Sequence, residues 1–115
     1  MHQYRHFFAV DVNSGMLMAR MPRPVMTGDM EADRIVVTLT DGPTVVDLTG
    51  MTASARVIRA DGHTVRIPGT VDGETASVTL TDECYAVDGP IVITVALAEG
   101  VSRLSVLRIE MEAIA

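Results

Sequence analysis

Arg34-Ile35-Val36-Val37-Thr38-Leu39-Thr40, followed by Asp41-Gly42-Pro43, decides the fold class. Ile35, Val37 and Leu39 alternate with Arg34, Thr38 and Thr40, the period-2 pattern of a strand with one buried face. Asp-Gly-Pro then stops it. The same grammar repeats downstream. Residues 52–59 read as a strand with Ala53, Ala55 and Val57 inward and Ser54, Arg56 and Ile58 outward. Asp61-Gly62 is a hairpin signal into a short return strand, residues 63–67, which Pro68-Gly69 ends. Asp72-Gly73 precedes residues 75–80, where Ala76, Val78 and Leu80 share a face. Residues 91–97 form the most apolar strand, with Ile91, Ile93, Val95 and Leu97 inward. Glu99-Gly100 turns into residues 102–111. There the phase slips: Leu104 and Val106 share one parity, and Leu107, Ile109 and Met111 the other, which predicts a bulge near Val106.

Between these strands, Thr81-Asp82-Glu83-Cys84-Tyr85-Ala86 breaks the alternation. Thr81 as a cap, with two acids in the first turn, predicts one short helical turn closed by Asp88-Gly89-Pro90. Strands about ten residues apart with turns between them predict an all-β sandwich or small barrel.

The chain has 115 residues, the length of one domain with its own core. It is 48% hydrophobic and 21% charged, which excludes a disordered tail. No apolar run approaches the roughly 18 residues of a membrane span. The first residues, Met1-His2-Gln3-Tyr4-Arg5-His6, carry no signal-peptide core. The net charge of −6 disfavours nucleic acid and anionic membrane as partners. All nine basic residues are arginine. GC-rich coding accounts for that bias, although arginine also suits interfaces. Aromatic residues are only Tyr4, Phe7, Phe8 and Tyr85, too few to stack sugars or bases.

The first third differs. A strand is expected near residues 6–12, then a turn at Asn13-Ser14-Gly15. Met16-Leu17-Met18-Ala19-Arg20-Met21-Pro22-Arg23-Pro24-Val25-Met26 follows, and five of the eight methionines lie between Met16 and Met30. Pro22 and Pro24 hold the backbone extended and remove ladder donors. Residues 1–30 are therefore expected to form an extended arm and residues 31–115 the sandwich. Two readings of the arm stand side by side. It packs on the chain's own sheet edge, or it offers Phe7, Phe8, Met16, Leu17, Met18, Met21, Pro22, Pro24, Val25, Met26 and Met30 to neighbouring subunits. On the second reading, deleting residues 1–30 leaves a soluble domain that no longer assembles.

Signals for chemistry are sparse. Cys84 is a single cysteine, which implies no disulfide and reads as a buried small hydrophobe. His2, His6 and His63 lack further ligands for zinc. Asp82-Glu83 and the pair Glu110 and Glu112 read as solvated faces, and Asp41-Gly42 and Asp72-Gly73-Glu74 are only fragments of a calcium loop. No nucleophile elbow, phosphate loop or zincin motif is present. No catalytic residue, cofactor or metal is expected, and no enzyme.

The order of turns in the body carries a resemblance. Gly28-Asp29 precedes a strand ending Val37-Thr38-Leu39-Thr40-Asp41-Gly42. Val46-Asp47-Leu48-Thr49-Gly50, Arg59-Ala60-Asp61-Gly62, Val71-Asp72-Gly73, Val78-Thr79-Leu80-Thr81 and Val87-Asp88-Gly89-Pro90 follow. Over residues 25–112 this resembles the N-terminal immunoglobulin-like domain of phage baseplate upper proteins, and is similar to tailed-phage head-fibre proteins. The resemblance implies an immunoglobulin-like antiparallel β-sandwich and a structural role in the virion, made in the bacterial cytoplasm. It implies capsid, tail or baseplate subunits as partners and a homo-oligomer such as a trimer. The sequence ends at Ala115, directly after the last expected strand, which fits a small decoration, head-fibre or baseplate adaptor domain better than a receptor-binding protein. The alternative is a surface carbohydrate- or peptide-binding module, which needs a concave site with convergent polar or aromatic groups.

Overall fold

The alternation read from the sequence becomes two sheets. In the computed structural model, which describes residues 4–20, 25–26 and 33–114, the chain forms eleven strands. These are β1 (Tyr4–Asp11), β2 (Leu17–Arg20), β3 (Val25–Met26), β4 (Asp33–Asp41), β5 (Thr44–Val45) and β6 (Thr52–Ile58). β7 (Thr64–Pro68), β8 (Thr70–Asp72), β9 (Thr75–Thr79), β10 (Gly89–Glu99) and β11 (Ser102–Ile114) complete them. A 3-10 turn spans Asp82–Tyr85.

One sheet has the order β1-β4-β9-β8, with β5 on the end of β4; the other has β2-β11-β10-β6-β7, with β3 on β11. The chain passes from the first sheet to the second between β5 and β6, returns between β7 and β8, and crosses again between β9 and β10. That is the immunoglobulin-like sandwich, with its A-B-E-D sheet facing its C-F-G sheet. All pairings from β4 onward are antiparallel.

The inward residues expected on the strands from Arg34 to Leu97 are buried. Ile35, Val37, Leu39, Val57, Val78, Leu80, Ile93, Val95 and Leu97 are each at most 4% exposed. They pack between the sheets with Leu107, Ile109 and Met111. The expected bulge is present: Val95 pairs with Leu107 but Ala96 pairs with Ser105, leaving Val106 as the extra residue. This lets Val106 and Leu107 both be buried although they are consecutive. Gly69 is the whole link between β7 and β8, and a Cβ there would lie 2.8 Å from the Ser77 carbonyl oxygen and 3.0 Å from Ala53 Cβ. The crossing between sheets is therefore too tight for any side chain.

Two local expectations change. Thr81 occupies the cap position, but its side chain makes no capping bond to the backbone; Oγ1 lies 3.6 Å from Cys84 Sγ instead. A four-residue 3-10 turn leaves little helix to cap. The described part of residues 1–30 is also paired into the sheets. β1 runs parallel to β4 along its whole length, and β2 and β3 run parallel to β11. Val10 is 3% exposed in the core. β1 thus lies at the edge of the first sheet, and β2 and β3 at the edge of the second.

Candidate docking surface

The arm's geometry follows from strand parity. Along β1, His6, Phe8 and Val10 turn toward the interior, while Arg5, Phe7 and Ala9 turn to solvent. Phe7 is 71% exposed and sits beside Val36 in register. The crossover between sheets is held by an Asx turn: Asp11 Oδ1 accepts from the Asn13 backbone N–H at 2.9 Å and from Asn13 Nδ2 at 3.1 Å. Asn13 Nδ2 also donates to Asp41 Oδ1 at 2.9 Å, tying the crossover to the end of β4. Gly15, at φ 77, supplies the left-handed residue that lets the chain swing to the second sheet. Val12 and Met16 are exposed in this crossover. On β2, Leu17 and Ala19 pack on the core and Met18 is 58% exposed beside Arg108.

Of the residues expected to contact neighbours, Phe7, Met16 and Met18 therefore face solvent, and Phe8 and Leu17 face the core. Val25 and Met26 lie in β3, opposite Ala113 and Ile114. Met21, Pro22, Pro24 and Met30 lie outside the described residues. The three exposed side chains wrap one margin of the sandwich rather than form one flat patch: Phe7 on the outer face of the first sheet, Met16 in the crossover, Met18 on the outer face of the second.

β1 is fastened from inside. His6 Nε2 lies 2.7 Å from Asp33 Oδ1, and Asp33 is 1% exposed. At the same end of the sandwich, Arg59 Nη2 donates to Asp61 Oδ2 at 2.6 Å and Arg59 Nη1 to the Glu83 carbonyl oxygen at 3.1 Å. The Arg59 bonds, with the His63 backbone N–H, pull the Asp61 carboxyl down to about 2. Cys84 is fully buried beside this cluster, and burial pushes its thiol up.

Sequence reasoning missed the opposite end. There the β10–β11 hairpin carries Val101 and Leu104, both exposed, and Leu104 lines an apolar groove of about 200 Å³. Leu39, Met51, Leu97 and Ala98 line it, with Glu99 and Arg103 at its rim. The parity of Leu104 pointed to the interior, but the register places it at the open mouth of the sandwich, opposite Leu97.

The fold and this apolar margin define a small immunoglobulin-like β-sandwich whose N-terminal strands close both sheets. Neither a family model nor a curated protein matches the sequence. Among solved structures the chain is similar to the N-terminal domain of phage TP901-1 ORF48, with a TM-score of 0.55 and 11% identity over 96% of each chain. At that identity the likeness is one of fold.

Proposed function

We propose that the chain is a non-enzymatic structural protein of a tailed-phage virion. It is a small head-fibre, decoration or baseplate adaptor domain, and it docks onto neighbouring capsid or tail subunits through residues 7–30. The observation that carries this reading is the margin at which Phe7, Met16 and Met18 stand in solvent on a backbone held rigid by pairing to both sheets. Exposed apolar side chains spaced around one margin are apolar area that a partner clasping this edge would remove from water. The likeness in fold to a phage protein domain over almost the whole chain supports it, as does the turn pattern of the sequence.

The mechanism is adhesion by shape. The sandwich supplies a stiff platform, so little ordering is required when the margin meets a partner. Methionine adapts to an uneven partner surface. A stable contact needs about 800 Å² per partner. Symmetric copies, such as a trimer, raise the effective concentration of each contact. Catalysis, cofactors, nucleic acid and membrane have no part in this mechanism. The chain is made in the host cytoplasm and resides in the virion.

A triple variant, F7S/M16S/M18S, tests the reading. It is expected to keep the wild-type melting temperature and to be lost from purified particles. Wild-type occupancy in particles would overturn the proposal. The groove beneath Leu104 favours a second reading, capture of an apolar side chain from a peptide; with no aromatic ring among its lining residues, it favours peptide over sugar.

A further inference from the structure

The outer face of the β2-β11-β10-β6-β7 sheet carries a row of arginines. Arg66 on β7 is opposite Arg56 on β6, Arg56 is opposite Thr94 on β10, and Thr94 is opposite Arg108 on β11. Arg108 is neutralised by Glu110, with Nη1 2.9 Å from Oε1. Arg56 and Arg66 are both exposed, and neither has a carboxylate partner among the described residues. Like charges directly opposite on neighbouring strands are destabilising. A chain of net charge −6 has carboxylates to spare, yet on this face Glu110 pairs with Arg108 and none pairs with Arg56 or Arg66 among the described residues. Exposed Ile58 and half-buried Val92 lie in the adjoining row, so the face mixes apolar and guanidinium surface, the composition that interfaces favour.

The complementary surface is on the same molecule. Asp11, Asp41, Asp47, Asp72, Glu74 and Glu99 gather at the end of the sandwich that holds the groove. Asn13 ties the turn after β1 to Asp41, and the Leu48 N–H donates to the Gly73 carbonyl at 2.8 Å, binding the loop before β6 to the β8–β9 turn. Arg103 is the one described arginine at this end, and Val101 and Leu104 are its exposed apolar tips.

We propose that the acidic loop end of one copy seats on the Arg56–Arg66 face of the next, a head-to-face contact between copies of this chain. Two arginine faces repel each other, and so do two acidic ends; only the unlike pairing satisfies both. The contact is heterologous, so it generates rings where the rotation closes and filaments where it does not. It goes beyond the docking reading: the arginine pair lies on β6 and β7, at the edge of this face opposite Met18 on β2, and Phe7 lies on the other sheet.

Sedimentation velocity on the full chain tests it. Wild type is expected to associate at 50 mM salt and to dissociate at 500 mM. R56E/R66E and D72R/E74R, each alone, are expected to associate more than about tenfold more weakly. An equimolar mixture of the two is expected to recover assembly, because each reversed surface meets its reversed complement. R56A/R66A, which removes the like-charge pair without creating another, is expected to melt no lower than wild type and still to lose association. A wild type that stays monomeric at low salt up to millimolar concentration overturns the proposal, including when it binds polyglutamate instead. So does unchanged association in R56E/R66E, or a mixture that fails to recover. F7S, on the outer face of the first sheet and away from both surfaces, is expected to self-associate normally, which separates failure of this contact from failure of docking to particles.

Discussion

His6 Nε2 meets Asp33 Oδ1 at 2.7 Å across 27 residues of chain, joining the first strand to the start of the strand it runs beside. Asp33 is almost wholly buried, while His6 keeps an edge in solvent. Replacing His6 by alanine withdraws a partner from a buried carboxylate. The expected cost is about 1.5–3 kcal/mol, the loss of one hydrogen bond to a charged group. Urea denaturation followed by circular dichroism measures it, and H6A with unchanged stability would show that β1 is held by its ladder alone.

The Asp61 carboxyl, held down to about 2 by Arg59 and His63, makes a pH-dependent contribution. A depressed folded-state value stabilises above the unfolded value near 3.8 and is lost as pH falls through about 2. Wild type should therefore melt above D61N at pH 7, and the gap should close between pH 4 and pH 2. A gap that is constant over that interval would contradict the assignment.

Gly69 offers a steric test. Alanine there drives a methyl group against the Ser77 carbonyl and Ala53, so G69A is expected to cost about 1–3 kcal/mol by overpacking. Gly100, at φ 60 with open space around it, should lose less when substituted, through backbone conformation alone. Thermal melts of both variants order the two effects.

Core and margin should separate in the same assay. Ile93 is fully buried between the sheets, and I93A is expected to cost about 2–5 kcal/mol. M18S, at an exposed position, should stay within about 0.5 kcal/mol of wild type. Similar losses in both would mean that Met18 is structural and not held for a partner.

Cys84 is expected to resist thiol reagents in the native state and to react on unfolding, because it is buried and its thiol is pushed up by desolvation. Ellman's reagent with and without denaturant reads this directly. Fast native reaction would return the thiol to consideration as a functional group.

Much of the fold was legible because a one-residue slip in a half-buried strand exposes its whole apolar face. Ile35, Val37 and Leu39 could face only one way, and the parity change at Val106 had one local remedy, a bulge. What the alternation does not encode is pairing. Nothing in Tyr4-Arg5-His6-Phe7-Phe8-Ala9-Val10 indicates that this strand runs parallel to β4, since partner and direction depend on contacts distant in sequence. The candidate docking margin was half legible. Methionine enrichment marked the segment, but Phe8 and Leu17 turned inward because strand parity, not composition, sets exposure. The arginine row was hidden because Arg56 and Arg66 are ten residues apart and face each other only once the Asp61-Gly62 hairpin closes. Leu104 shows the converse: its parity points inward, and only the register places it at an open rim.

Quantitative mass spectrometry of purified phage particles, from a lysate in which the chain is expressed, tests the structural role most directly. The account predicts the wild-type protein at a fixed ratio to the major capsid or tail subunit, and its loss in F7S/M16S/M18S. A protein recovered only in the particle-free fraction, with wild type and variant alike, would contradict it.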